Sequence, residues 1–470
     1  KGEKTMKRST KKGFTIVELV IVIAIIAILA AVLIPTFASL IQKANTSADI
    51  QAVREMNTFL AINEVEEPKT INEVFKALEN GGMTVKDYHP LVSGRFFFWD
   101  SKLNRVLYTD DQYKVIYPEE YKDVNSEKNG WLSLSGEIRK QEIKPGEDGS
   151  YKVTTAEELY YLASENKAQN ANIKFDTDKL DLMGADVGFE YNTAGTYTIT
   201  GKESGTTITG LNQITNRSVG ANENNGKKYE SGLVQAVGKY NVDNNIRLTI
   251  SHITISGATI GSLDIGGVGA VIGRTEQGTT VVLDDVKVVD TIVNGQNKVG
   301  GLVGHVQSGN LTINDNCSME NVTINCSEGE AAKVVGAINQ KSTVTIKKAF
   351  GEDWVKNVNV NLVKGTYDRK TVAVAANTEV STTKGSSTVK FTFDSDVTIV
   401  ERLYSDGKHK GHRVFYKDAY VTYVMDSSTK TIKVAGDTTT VSETNDAYES
   451  TATIGSETYE RFIGLGEIKG

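Results

Sequence analysis

The sequence predicts an α+β chain: a long N-terminal helix apolar enough to cross a bilayer, a small antiparallel β head, a three-sided parallel β-solenoid and a C-terminal β-rich domain. Three observations carry this. Residues 14–34 read FTIVELVIVIAIIAILAAVLI, with Thr15 and Glu18 as the only polar members. Three short β-like runs, RFFFWDS, NRVLYTD and YKVIYP, follow between residues 95 and 118. Further on, glycine-bearing apolar tags recur: SGLVQAVG, GVGAVIG, VGGLVGHV and VVGAINQ.

The first element begins in a basic leader. Residues 1–13 carry six Lys or Arg and one Glu, a net +5 against −7 for the whole, so the remainder carries −12. Positive charge at one end only argues against nucleic-acid binding, which needs Lys and Arg gathered on a face. The apolar run behind it is long enough to span a bilayer, and the basic flank holds the N-terminus in the cytoplasm. The rest is then sent outward in a single pass. A secretory signal peptide shares the basic start. Here, though, the run is longer and flows into an amphipathic stretch in which Phe37, Leu40, Ile41, Ala44, Ala48, Val53, Met56 and Leu60 recur at spacings of mostly three and four. Pro35 sits between the two halves, where a proline kinks or locally melts a helix. Residues 14–62, if helical throughout, form a rod of about 74 Å.

Glu18 is the unusual residue. A carboxylate in lipid costs on the order of 2.5 kcal/mol or more unless something neutralises it. With that acid, KKGFTIVELVIVIAIIAILAAVLIP resembles the class III signal and helix of type IV pilins and pseudopilins. The resemblance implies that a prepilin peptidase cuts after Gly13 and methylates the new amine of Phe14. It also implies that Glu18 meets the Phe14 amine of a neighbouring subunit during assembly, and that Pro35 stands where such helices often carry a proline. An in-chain pair of Phe14 and Glu18, one turn apart, is the plainer alternative. Lys1 is not an initiator, and Met6 would begin the leader MKRSTKKG.

After the helix, TINEVFKALENGG predicts a short helix with Val74, Phe75 and Leu78 inward and Gly81 and Gly82 closing it. With the three β-like runs it makes the small head, similar to compact pilin heads. Asn125 to Gly149 is polar and glycine-rich, with Trp131 and Leu134 as its apolar points, and reads as a linker or docking segment. YKVTTAEELYYLASEN then predicts a strand, a cap at Thr154 or Thr155 and a helix.

The tags define the repeat. Aligning Leu233, Val271, Leu302 and Ile338 gives spacings of 38, 31 and 36 residues. Each unit holds about three short strands, enough for one coil of a stacked solenoid. The pattern resembles GLUG-type repeats of bacterial surface proteins. A β-sandwich is the competing fold. Beyond residue 364 the repeat is lost but the chain stays β-rich, as a cap or a separate domain. The domains are therefore 1–13 leader, 14–62 helix, 63–124 head, 125–150 linker, 151–363 solenoid with its cap, and 364–470.

No catalytic set emerges. His89, His252, His305, His409 and His412 lie in no metal motif, and His305 reads as a turn or surface residue. DTDKLDLMGAD, from Asp176, lacks the glycine and terminal Glu of a calcium loop. Asp284, Asp285 and Asp290 fall on a strand that carries them outward. Lys408, His409, Lys410, His412 and Arg413 fall in a turn-like stretch that reads as a solvated loop, with binding of anionic glycans or surfaces as the alternative. Cys317 and Cys326, the only cysteines, permit one disulfide but equally suit two buried thiols. The expectation is a non-enzymatic subunit without cofactor or metal. Its implied partners are the prepilin peptidase, other pilin subunits, the inner-membrane assembly platform with its ATPase, the membrane and a glycan or surface ligand. A pseudopilin of a type II-like secretion system and a membrane-tethered enzyme acting on polysaccharide are the alternatives.

Overall fold

An unbroken apolar run followed by an apolar stripe at helical spacing folds as one helix, α1 (Ile16–Ile62), which runs through Pro35. At 1.5 Å per residue it is about 70 Å long. The computed structural model describes residues 15–62, 70–122, 130–165, 169–213, 230–240, 242–307, 309–327, 331–338, 342–347 and 354–362. Beyond these it describes, largely as backbone, 368–384, 387–393, 396–403, 409–416, 419–420, 423–426, 431–434, 439–441, 451–454, 457–460 and 468–469.

Helix α2 (Ile71–Asn80) starts on a capping box in which Thr70 and Glu73 satisfy each other's amides, and it buries Ile71, Val74, Phe75 and Leu78. At its end Gly81 lies against Phe59 of α1, where a Cβ would collide with the ring. The head sheet is antiparallel, in the order β3 (Val115–Tyr117), β2 (Arg105–Thr109), β1 (Phe96–Asp100), β4 (Trp131–Ser133). β4 corrects the reading of Trp131 as part of a linker, because it pairs with β1 and Trp131 is buried.

All five residues of β1 are buried because the sheet is covered on both faces. Phe97, Trp99, Val106 and Tyr108 pack with α1 and α2. Phe96, Phe98, Leu107 and Trp131 join a second core that continues into the rest of the chain, including Leu159 and Leu162 of α3 (Ala156–Ser164). The N-cap of α3 is Thr155, with Glu158 completing its box.

The strand pairs Asp368–Val374 with Val397–Leu403 and Glu379–Lys384 with Ser387–Phe393 are antiparallel, whereas between Phe189 and Leu362 the strands form parallel ladders. One joins Gly195–Thr200, Ile246–Ser256, Thr279–Val289, Asn310–Ile313 and Thr343–Ile346. Its register stacks Ile199, Ile250, Leu283, Ile313 and Ile346 in one wholly buried column. A second ladder joins Phe189–Tyr191, Val234–Val237, Ile272–Thr275, Val303–Val306 and Val335–Ile338. A third joins Asn212–Gln213, Thr259–Ile260, Ile292–Gly295, Thr323–Cys326 and Asn359–Leu362. Between Ile246 and Leu362 the chain meets these ladders in the same order in each successive repeat.

The tags supply the second ladder, but one alignment needs correcting. Val234, Ile272, Val303 and Val335 are opposite one another, so Leu233, Val271 and Leu302 continue to Val334 and not to Ile338, which pairs with Val306. The last interval is thus 32 residues. The tag glycines are there for clearance, since a Cβ on Gly304 would run into the backbone of Gly267 and Val268.

Polar side chains stack from one repeat to the next, within the third ladder and at the turns just before it. Asn325 donates to Asn294 at 2.8 Å and Asn361 to Asn325 at 3.1 Å. Asn321 donates to Asp290 at 2.9 Å and Asn357 to Asn321 at 3.0 Å, and Asp290, Asn321 and Asn357 all hold positive φ. Asn and Asp tolerate that conformation better than other side chains do. The C-terminal residues add Thr439–Val441 to the second ladder and Thr451–Ile454 to the first, both parallel. Of the basic cluster, His409 to Arg413 lies in a strand (His409–Tyr416), which corrects the turn reading; Lys408 is outside the described residues.

Leu302 lies wholly buried between Val271 and Val334 along the tag column. Leu302→Ala should therefore lower stability by about 2–5 kcal/mol in denaturant unfolding. An unchanged midpoint would show that the column is not a packed core.

Candidate assembly helix and its seat in the head

The two halves of α1 meet different surroundings. From Ile16 to Ile41 its large apolar side chains are exposed, with Ile16 at 80%, Ile28 at 67% and Phe37 at 57%. The segment is long and apolar enough to cross a membrane. Only from Asp49 does the helix bury residues against the head: Asp49, Val53, Met56, Asn57 and Leu60. Phe37, Leu40 and Ile41 therefore do not pack on the head, as their spacing suggests, because the head does not reach them.

At the N-terminal end of the helix Thr15 and Glu18 form a compact cap. The Thr15 amide and hydroxyl each donate to Glu18 Oε2 at 2.8 Å, and the Glu18 amide donates back to Thr15 Oγ1 at 3.2 Å. A carboxylate in the first turn also faces the positive end of the helix dipole. Gly13 and Phe14 lie outside the described residues. At Pro35 the Ala31 carbonyl loses its usual amide partner, while Thr36 Oγ1 donates to Val32 O at 2.9 Å.

Two buried polar residues, not singled out by the sequence reading, fasten the other end. Asp49 is 2% exposed and accepts from the Leu91 amide at 2.8 Å, the Val92 amide at 3.3 Å and the Tyr108 hydroxyl at 2.9 Å. Asn57, two helical turns on, accepts from the Val106 amide at 2.7 Å and donates to the Val106 carbonyl at 3.0 Å, as a neighbouring strand would. Arg54 adds a bond from Nε to the Tyr117 hydroxyl at 3.2 Å and stacks over its ring. Burial first, and then the Asp49 bond and charge, push the Tyr108 phenol well above its ordinary value. The signal for both residues was present: they sit on the helix's inward stripe, four residues either side of Val53.

Elsewhere the predicted residues separate. Cys317 and Cys326 are buried thiols that no disulfide joins, and Cys326 Sγ donates to Gln296 O at 3.3 Å. Cys317 leads into the strand Ser318–Glu320 beside Thr279–Val289, whereas Cys326 ends a strand of the third ladder. Burial pushes the Cys317 thiol up to about 11. His305 is buried within Val303–Val306 beside Arg274, which corrects its reading as a turn or surface residue. The Asp176 segment is engaged in ion pairs, Asp176 with Lys152 at 2.8 Å and Asp178 with Lys202 at 2.7 Å. Among the described residues no group of His, Cys, Asp and Glu is arranged to hold a metal ion.

Asp49→Ala should destabilise the head by roughly 2–4 kcal/mol, because it strips buried donors of a charged partner; an unaltered urea midpoint would deny the clamp any role. A second outcome concerns pH. The folded Tyr108 value lies above the unfolded one, so its contribution is complete below about pH 10 and is lost as pH rises further. Stability should fall in that alkaline range, and Tyr108→Phe should remove part of the slope. A slope identical in both proteins would contradict it.

No solved structure matches the chain. Residues 8–34 match the family model of the prokaryotic N-terminal methylation motif, and the chain thus carries a type IV pilin-like signal at the head of its long apolar helix.

Proposed function

We propose that the chain is a type IV pilin-like subunit that displays a large β-domain at the cell surface. The observation that carries this reading is the methylation motif over residues 8–34 running straight into a helix whose apolar side chains, as far as Ile41, have no cover among the described residues. Lipid covers them before assembly, and the helices of neighbouring subunits cover them afterwards. The six basic residues of the leader keep the N-terminus inside. The prepilin peptidase cuts after Gly13 and methylates Phe14, and the new cation meets Glu18 of a neighbour. Glu18 is suited to that role, since both bonds from Thr15 fall on Oε2. The assembly platform and its ATPase then draw the helix out of the membrane, with Pro35 as the yielding point and Asp49 as the first residue fixed to the head.

The parallel ladders support a three-sided β-solenoid of GLUG-like repeats, which would offer an extended surface for adhesion without catalysis. A head and β-domain of about 400 residues have a radius of gyration near 21 Å, which would crowd a dense shaft. A minor or tip position suits that bulk better than the shaft.

Mass spectrometry of the mature protein should find N-methylated Phe14 as its first residue. An intact leader or another first residue would sink the proposal. Glu18→Ala should leave processing intact yet reduce recovery in sheared filaments at least tenfold, about 1.4 kcal/mol; normal recovery would remove Glu18 from assembly.

A further inference from the structure

Beside the first ladder the outer surface of the β-domain opens into a groove of about 430 Å³ lined by Asp178, Lys202, Ser204, Thr207, His252, Thr254, Asp285 and Lys287. Its floor is a row of side chains set by register, since Thr207 is opposite Thr254 and Thr254 opposite Lys287. At one side His252 and Asp285 occupy facing positions on adjacent strands, both with positive φ, which turns the strands at that point. Their side chains meet at 3.1 Å between His252 Nδ1 and Asp285 Oδ2.

The charges in the groove come as neighbouring opposites. Lys287 Nζ lies 2.9 Å from Asp285 Oδ1, and Lys202 Nζ 2.7 Å from Asp178 Oδ1. Ser204 adds a hydroxyl 3.4 Å from the same Asp178 oxygen. Partial burial pushes the Asp285 carboxyl up, but Lys287 and His252 outweigh it and hold it below its ordinary range. Lys202 does the same for Asp178. Both carboxylates are therefore ionised acceptors at neutral pH. Asp284 borders the pair, bonded by Asn314 and Asn316, so the local balance is one charge negative. An anionic ligand would meet three carboxylates whose flanking ammoniums are already engaged. A metal ion has no suitable donor group here among the described residues.

We propose that this groove binds a neutral, polyhydroxylated saccharide, whose vicinal hydroxyls bridge the ammonium and carboxylate of each pair. A diol donates to the carboxylate and accepts from the ammonium, so neither charge loses its partner. Hydrogen bonds to charged groups are the stronger kind, and the volume falls in the usual range for small-ligand sites. With no Phe, Tyr or Trp among the lining residues to stack on a sugar face, single-site affinity belongs in the millimolar range. The groove deepens the adhesion reading and relies on it only for where such a saccharide would be met.

The test uses the full chain in detergent micelles, with saturation-transfer NMR against neutral gluco-, galacto- and manno-oligosaccharides and their uronic-acid counterparts. At least one neutral saccharide should bind and the uronates should not. Asp285→Asn, which keeps a side chain tolerant of positive φ, and Lys287→Met should each weaken binding about tenfold. Thr254→Trp should block the floor, and Arg247→Gln, exposed on the same strand outside the groove, should change nothing. Loss of binding in folded Thr254→Trp, read by unchanged circular dichroism, supports the site even if another variant fails to fold. Absence of neutral-saccharide binding, equal binding of uronates, or binding indifferent to all three groove variants would each overturn it. Micelle-held chain needs no filament, so a negative result here leaves the pilin-like reading standing, whereas an unprocessed leader would strike that reading alone.

Discussion

One continuous helix has to satisfy two solvents, and the rest of the molecule is arranged around the place where it changes from one to the other. Up to Ile41 the helix shows apolar side chains outward all the way round, a surface stable only in lipid or against similar helices. From Asp49 onward it becomes a component of a folded head, held by a stripe of Val53, Met56 and Leu60 and by two polar contacts that hydrophobic packing alone would not supply. Packing would tolerate a helix that slid or rotated slightly. Asp49 and Asn57 do not, because each engages specific backbone groups whose loss would leave buried donors unpaired.

The head passes this anchorage on. Its sheet is covered by helices on one face and by the second core on the other, so β1 lies between two hydrophobic interiors. Trp131 belongs to the second core, while its indole donates to Asp100 at 2.9 Å, at the end of β1. The segment after β4 continues the attachment, with the Ser133 amide on Met183 O at 2.8 Å and the Asp186 amide on Gly136 O at 2.9 Å. Head and β-domain thus share a packed boundary.

Within the β-domain, repetition does the stabilising. Every added repeat buries a further Ile, Leu or Val in columns already in register, each worth about 1.5–3 kcal/mol on burial. Polar stacks within the third ladder and at the turns before it tie neighbouring repeats by side-chain bonds without consuming the backbone ladder. Such a stack leaves open edges at its ends, which invite pairing with other chains. Here the capped helix α3 lies by the first strands, and C-terminal strands close onto Val335–Ile338 and Thr343–Ile346.

How much of this was legible in the sequence follows the range of the forces involved. The apolar run, Glu18 within it, a helix cap at Thr154 or Thr155 and the existence of repeats are local patterns, and those parts of the fold were readable from neighbouring residues alone. So was the site's membrane half. Its other half was not: Asp49 and Asn57 look like ordinary polar helix residues until strand β2 and the Leu91 turn are brought beside them. Trp131 seemed isolated because its partners lie more than thirty residues away. Val334 replaced Ile338 in the tag column because register is decided by which backbone pairs form, not by the similarity of two apolar residues four apart. The sequence by itself determined which stretch is long and apolar enough to cross a membrane and that the body is built of repeats, since both depend on composition over short windows. Tertiary structure alone decided which polar groups are buried, which thiols stay apart and which outward side chains converge on a groove, because each depends on residues distant in the chain meeting at hydrogen-bond range.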